Sequence, residues 1–273
     1  MRLAAIVMAR RNSERLPRKN VLPFCGLPLI EWSFIQAKAA HRVDRTFLVT
    51  DDPECMEIAQ PYGVEIIEQP AWQCQLGELG GTGVAYRTAQ HFINNGTNPE
   101  FIMNLLPTTP LRMPYDIDRA FARMLAHNAI AISTVAPIHH PAIMYKSAKP
   151  DTYMSLITGN DEYTFRSSCL VGIVNWQYQV IHQGFGELTH VTDEEIRTRI
   201  KKARTYQFRK RVLEQSMPYM PHLAYAVEQW QPEEIDYEFQ FKMCEMLMEH
   251  YILKGRGKEV YESYEKDATQ TEG

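Results

Sequence analysis

A three-layer α/β fold built on a mainly parallel sheet is what the sequence predicts, and three observations point to it. Short β-rich apolar runs alternate with helix-length segments from the N-terminus onward. The runs are nearly continuous in apolar residues, as strands covered on both faces must be. The segments between them are long enough for the helical crossovers that parallel neighbours require.

The strands are expected at Leu3 to Met8, Thr46 to Thr50, Val64 to Ile67, Phe101 to Leu106, Ile130 to Ala136 and Leu170 to Asn175. Helical spacing marks Leu29 to Ala40, Pro53 to Tyr62, Val84 to Ile93 and Tyr115 to His127. Asn95-Gly96-Thr97 has the form of a glycosylation acceptor, but with no secretory signal before it the simpler reading is a turn at a helix end. The rhythm weakens after about residue 137, where prolines and histidines interrupt it. It returns in an amphipathic helix from Glu233 to Tyr251, with Phe239, Met243, Met246 and Leu247 expected on one face. The expected division is an α/β core over 1–136, an excursion over 137–212, a return to the core over 213–253, and a frayed polar tail over 254–273.

Composition narrows the function. The chain has 273 residues, 45% hydrophobic and 23% charged, the proportions of a globular protein with a core large enough to need no metal or disulfide staple. With 29 Lys and Arg against 33 Asp and Glu, the net charge of −4 gives no global attraction to nucleic acid or an anionic membrane. Any anion site must be local. The five cysteines are scattered without metal or redox spacing, which suits a reducing cytoplasm. The apolar run Leu3 to Ala9 is too short to cross a bilayer and has neither the basic region nor the cleavage site of a signal peptide.

In such sheets ligands bind beyond the carboxyl ends of the strands. The segment Arg10-Arg11-Asn12-Ser13-Glu14-Arg15-Leu16-Pro17-Arg18-Lys19-Asn20, directly after the first strand, carries five cations and one anion. Clustered guanidinium and ammonium groups there can neutralise a nucleoside triphosphate. The glycines of the Walker loop and the dinucleotide fingerprint are missing, so side chains must hold the phosphates. The bland alternative is a solvated basic loop.

Other features carry less. His139 and His140 have no third ligand at metal spacing and read as structural. Cys25 reads as a small packed residue and the Met243, Met246, Met248 group as helix packing. The basic run from Arg197 to Arg211 reads as a solvated helix face or a dimer contact, since aromatic interleaving is limited to Tyr206 and Phe208.

The run Ala5-Ile6-Val7-Met8-Ala9-Arg10, followed by Ser13, Arg15-Leu16-Pro17, Lys19-Asn20 and Gly26-Leu27-Pro28-Leu29-Ile30, closely resembles the opening of the acylneuraminate cytidylyltransferases. Thr50-Asp51-Asp52-Pro53, Leu105-Leu106-Pro107-Thr108-Thr109-Pro110-Leu111-Arg112 and Glu234-Ile235-Asp236-Tyr237-Glu238-Phe239 resemble later motifs of that family, in order and spacing. The resemblance implies a GT-A-like nucleotidyltransferase fold, usually a homodimer, that moves CMP from CTP onto an acidic sugar and releases pyrophosphate. It implies Arg10, Ser13, Arg15, Lys19 and Asn20 as nucleotide contacts, with Lys19 and Arg10 stabilising charge at the phosphate under attack. Thr108, Lys146 and Arg166 match acceptor-side positions, the last two loosely.

The family uses magnesium, which takes oxygen ligands and only one or two carboxylates. Glu234 and Asp236 stand where it carries two aspartates. In an extended segment their i, i+2 spacing points both carboxylates to one face; in a helix it does not. The alternative is that they supply negative charge to the start of the final helix. Leu106, Gln69 and Val171 depart from polar residues usual in the family, which points away from sialic acid itself and leaves another nonulosonic acid, a shorter acidic sugar or a phosphonate open as acceptor. A nucleotide-binding relative without catalysis is the reading from another class. Asn12 and Arg18 replace glycines, and Arg18 is a candidate extra phosphate contact.

Overall fold

The computed structural model describes residues 1–70, 72, 80–137, 145–146, 155–156, 165–176, 192, 194–195 and 222–268. The first strand, β1 (Leu3–Ala9), is buried along almost its whole length. Alternate residues of a strand face opposite sides, and those of β1 enter two separate cores: Leu3, Ala5, Val7 and Ala9 join one, Ala4 and Ile6 the other. The central strand is thus covered on both faces, as its unbroken apolar sequence requires.

Six more strands extend the sheet: β4 (Arg45–Thr50), β5 (Glu65–Glu68), β6 (Phe101–Leu105), β7 (Ala131–Pro137), β10 (Phe165–Asn175) and β11 (His222–Ala226). Their spatial order is β11-β7-β10-β6-β1-β4-β5. All adjacent pairs are parallel except those made by β10, which runs antiparallel to both β6 and β7. Two short hairpin pairs stand apart, β2 (Pro23–Phe24) with β3 (Leu27–Pro28), and β8 (Tyr145–Lys146) with β9 (Ser155–Leu156). The register aligns Ala9 of β1 with Thr50 of β4, so the loops that follow both strands leave the sheet side by side.

Helices α1 (Leu29–Ala39), α2 (Pro53–Ala59) and α4 (Pro114–Ala126) supply Ile30, Phe34, Cys55, Ile117 and Phe121 to the first core. On the other face, α3 (Gly80–Asn94) contributes Val84, Ala89 and Phe92. Asn95-Gly96 ends α3 as a turn, with Gly96 at φ 63°. Among the described residues no helix is long and apolar enough to cross a membrane.

The C-terminal part differs from expectation in two ways. The helix does not begin at Glu233: residues 233–235 are non-helical, and α5 runs Glu238–Leu247 before widening into a π-helical stretch over Met248–Leu253. Its buried face is Phe241, Cys244 and Met248, while Phe239 and Met246 are exposed, so the expected stripe of Phe239, Met243, Met246 and Leu247 is corrected. The Met243, Met246, Met248 group divides in the same way, with Met248 alone fully buried.

Nor does the chain fray directly after Lys254. A further helix, α6 (Glu259–Ala268), packs Val260 and Tyr261 into a third core with Trp32, Leu29 and Ile252. The Tyr261 hydroxyl receives a hydrogen bond from Gln36 Nε2 at 3.2 Å. Truncating so large a buried ring typically costs about 3 kcal/mol or more. Tyr261→Ala is therefore expected to lower unfolding free energy by about that much in urea titration, and a loss under about 1 kcal/mol would mean that α6 is not docked in solution.

Candidate active site

Three loops meet at the carboxyl edge of the sheet: residues 10–20 after β1, 51–52 after β4 and 106–112 after β6. Each is fixed locally. Asn20, 8% exposed, donates from Nδ2 to the Arg10 carbonyl at 3.2 Å and so ties the ends of the basic loop together. The Arg11 amide donates to Asp51 Oδ1 at 2.7 Å. A single 3₁₀ turn, Lys19–Val21, closes the loop. Arg112, wholly buried, braces the loop after β6 by donating to the carbonyls of Leu106 and Thr109 at 2.6 and 2.7 Å.

The acidic segment returns from nearly the other end of the chain and docks on this third loop. The Ile235 amide donates to the Thr108 carbonyl at 2.8 Å, and the Ile235 side chain is fully buried. That anchor holds residues 234–236 out of the helix. Glu234 stays exposed and receives a hydrogen bond from Thr108 Oγ1 at 3.3 Å.

The Asp236 carboxylate faces the basic loop, where the Arg15 guanidinium donates to Oδ2 and Lys19 Nζ lies 3.5 Å from Oδ1. Lys19 Nζ also donates to the Ile235 carbonyl. The start of α5 is capped by another residue: Gln240 Oε1 accepts from the amides of Asp236 and Tyr237, both at 2.9 Å. The helix-charging role is therefore not what holds the Asp236 side chain.

The two stretches joined here are more than 200 residues apart in sequence. Lys19 is only 8% exposed. Burial pushes its ammonium below the usual lysine range, and Asp236 and Glu234 pull it part of the way back. A cation kept at that cost beside a carboxylate is a group arranged for a ligand or for a stabilising pair.

The remaining expected residues fall as follows. Arg10 reaches Glu14, 3.5 Å away, and Ser13 is half-buried in the loop. Lys146 stands in β8 opposite Ser155, and Arg166 in β10 opposite Ala136. Because β10 is antiparallel, its beginning lies at the carboxyl edge, so the backbone of Arg166 shares the edge of the basic loop. His139, His140 and the run Arg197 to Arg211 lie outside the described residues.

Two departures noted in the sequence point inward. Val171 is 1% exposed, with its amide and carbonyl bonded to Thr134 Oγ1, and Gln69 is 4% exposed. Cys25 is half-buried at φ 46°, and burial pushes its thiol up to about 12, which rules out a thiolate nucleophile at neutral pH.

Asn12 has no positive φ, whereas Arg18 does, at 58°. The Arg18 guanidinium pairs with Asp52 at 2.8 Å and with Glu54, at the start of α2. Asp52 also caps α2 by accepting from the Glu54 amide at 3.2 Å. The sequence reading overlooked Asp51 and Asp52 as supports of the basic loop, although Asp before Pro53 is a recognisable helix start.

Magnesium fits the acidic segment on its donor chemistry. Glu234 and Asp236 offer hard oxygens from one non-helical stretch, and a magnesium ion needs no larger protein cage. Among the described residues no group of three or more His, Cys, Asp or Glu converges into one.

The fold and this edge define an α/β protein with a cation loop beyond the carboxyl end of its first strand. The chain belongs to the cytidylyltransferase family: the family described as Cytidylyltransferase matches residues 4–255. It is similar to the 3-deoxy-manno-octulosonate cytidylyltransferase of Synechococcus elongatus, with 37% identity over 67 residues, 24% of this chain and 28% of that one. It is 22% identical to the N-acylneuraminate cytidylyltransferase of Oncorhynchus mykiss over 138 residues, 50% of this chain and 31% of that one. The matches thus span less than a third of either relative. The solved CMP:2-keto-3-deoxy-manno-octonic acid synthetase complexed with CTP shares the fold, with a TM-score of 0.62 at 15% identity over 91% of this chain and 98% of that one. The fold and family expected from the resemblance are borne out.

Proposed function

We propose that this protein transfers CMP from CTP to an acidic sugar of the nonulosonic class and releases pyrophosphate. The observation that carries this reading is the meeting of Arg15 and Lys19 with Asp236 at the carboxyl edge of the sheet. Membership of the cytidylyltransferase family supports it, as do the relatives' acidic-sugar names.

An acceptor oxygen attacks the α-phosphorus, a new phosphorus–oxygen bond forms, and the bond to the β-phosphate oxygen breaks as pyrophosphate leaves. Such transfers depend on alignment and on stabilising the charge spread over the phosphate oxygens, so no covalent nucleophile is needed. Lys19 holds a buried positive charge beside the transferred phosphate. Arg10 and Arg15 neutralise the rest of the triphosphate, and Ser13 and Asn20 fix the loop and its nucleotide contacts. Thr108, Lys146 and Arg166 orient the acceptor and its carboxylate.

Asp236 and Glu234 would hold magnesium, which when bound supplies further neutralisation of the triphosphate. In the unliganded protein Asp236 offsets the repulsion between Arg15 and Lys19. The same reading includes a homodimer working in the cytoplasm.

The test is pyrophosphate release from CTP over an acceptor panel of nonulosonic acids, shorter acidic sugars and phosphonates. Turnover is expected with at least one acidic sugar, and removal of divalent cations with EDTA is expected to abolish it. Turnover with phosphonates alone would replace the acceptor class. Tight CTP binding without turnover on any acceptor would make this a binding relative.

A further inference from the structure

We propose that Arg18 is a positioning residue for Lys19: clamped onto α2 by Asp52 and Glu54, it holds the left-handed turn from which Lys19 reaches Asp236. This rests on Lys19 acting on the nucleotide as described above. A side chain beyond glycine is disfavoured at φ 58°, and such a residue persists where its surroundings over-determine it.

The surroundings do so here. The Asp52 side chain is 3% exposed, so its charge needs a partner, and the Arg18 guanidinium is that partner at 2.8 Å. The Glu54 contact, on an exposed carboxylate, adds direction more than strength. Because the Asp52 amide is bonded to Thr50 Oγ1 at 3.0 Å, the clamp is referenced to the end of β4, and thus to the sheet itself. From this fixed point the chain reverses. Val21 donates to the Arg18 carbonyl at 3.0 Å and Leu22 to that of Lys19 at 3.3 Å, while the Lys19 side chain leaves in the other direction, toward Ile235 and Asp236.

A glycine at 18 would adopt the turn without strain but would anchor nothing. Arginine instead couples the height of the basic loop to α2. Misplacing a charge by about 1 Å can cost up to about a hundredfold in rate, so the clamp matters to chemistry without touching a phosphate.

The experiment compares Arg18→Gly, Glu54→Gln and the double variant. Arg18→Gly is expected to stay folded but to melt several degrees or more lower, since it leaves the buried Asp52 carboxylate without its cation, to lower kcat at least tenfold and to move KM for CTP much less. Glu54→Gln is expected to lower kcat a few-fold, and the double variant to be no worse than Arg18→Gly alone, since both changes break one clamp. Hydrogen exchange at the Val21 and Leu22 amides of the ligand-free protein is expected to quicken in Arg18→Gly.

Unchanged kcat and exchange in Arg18→Gly would overturn the proposal. So would a Glu54→Gln variant as active as the parent, or losses that multiply in the double variant, as a direct phosphate contact by Arg18 predicts. If the parent protein itself releases no pyrophosphate, the functional reading fails while the exchange comparison still decides the clamp.

Discussion

Replacing Lys19 with alanine is expected to lower CMP transfer by about 10³-fold while leaving the fold in place. Removing one preorganised charge from a phosphoryl-transfer or oxyanion site typically costs 10²- to 10⁵-fold, and Lys19 is the most buried cation of the loop. The structural cost is smaller. The ammonium donates to the Ile235 carbonyl and lies near Asp236, and leaving such acceptors unsatisfied costs about 1–3 kcal/mol. For a chain of this size that is a fall of about 2–12 °C in melting temperature. Steady-state kinetics beside a thermal melt separate the two effects. A variant that turns over within about tenfold of the parent would remove Lys19 from the chemistry, and one that does not fold would show that its pairing is structural.

The second large effect is expected at Asp236. Asp236→Asn keeps the shape and the backbone capping by Gln240 but removes the charge that faces Arg15 and Lys19. Turnover is expected to fall about 10²- to 10³-fold, with the magnesium dependence displaced to higher concentration. Glu234→Gln is expected to cost only about tenfold, because Glu234 is exposed and its side chain receives its hydrogen bond from Thr108 rather than facing Arg15 as Asp236 does. Magnesium titrations of both variants check this. Equal losses at the two positions would mean that they share the metal evenly, and no loss at Asp236 would leave it as a counter-ion for the loop.

How much of this was legible in the sequence depended on the range of the interaction. The strands β1, β4, β6 and β7 were readable because burial on both faces demands unbroken apolar residues. β11 was not, since its residues beyond His222 alternate between half-buried and exposed at the sheet edge. The start of α5 was misread because Glu233-Glu234 imitates the acidic first turn of a helix. What overrides that local signal is Ile235, held by a loop over 100 residues earlier in the chain.

The same limit applied to the site. The basic loop stood out as a local charge cluster, and the strained backbone at Arg18 was foreseeable from the missing glycine. That Arg18 would turn to Asp52 was not, because nothing in the spacing of residues 34 apart encodes a contact. The exposure of Phe239 and Met246 was likewise invisible to a helical wheel drawn around the wrong axis of burial.

The most direct test is a crystal structure of the protein with CTP and magnesium. Triphosphate oxygens are expected within hydrogen-bond distance of Lys19 Nζ and of the Arg10 or Arg15 guanidinium, with magnesium between the phosphates and Asp236. A nucleotide seated elsewhere, with Arg15 and Lys19 still paired to Asp236, would contradict the account.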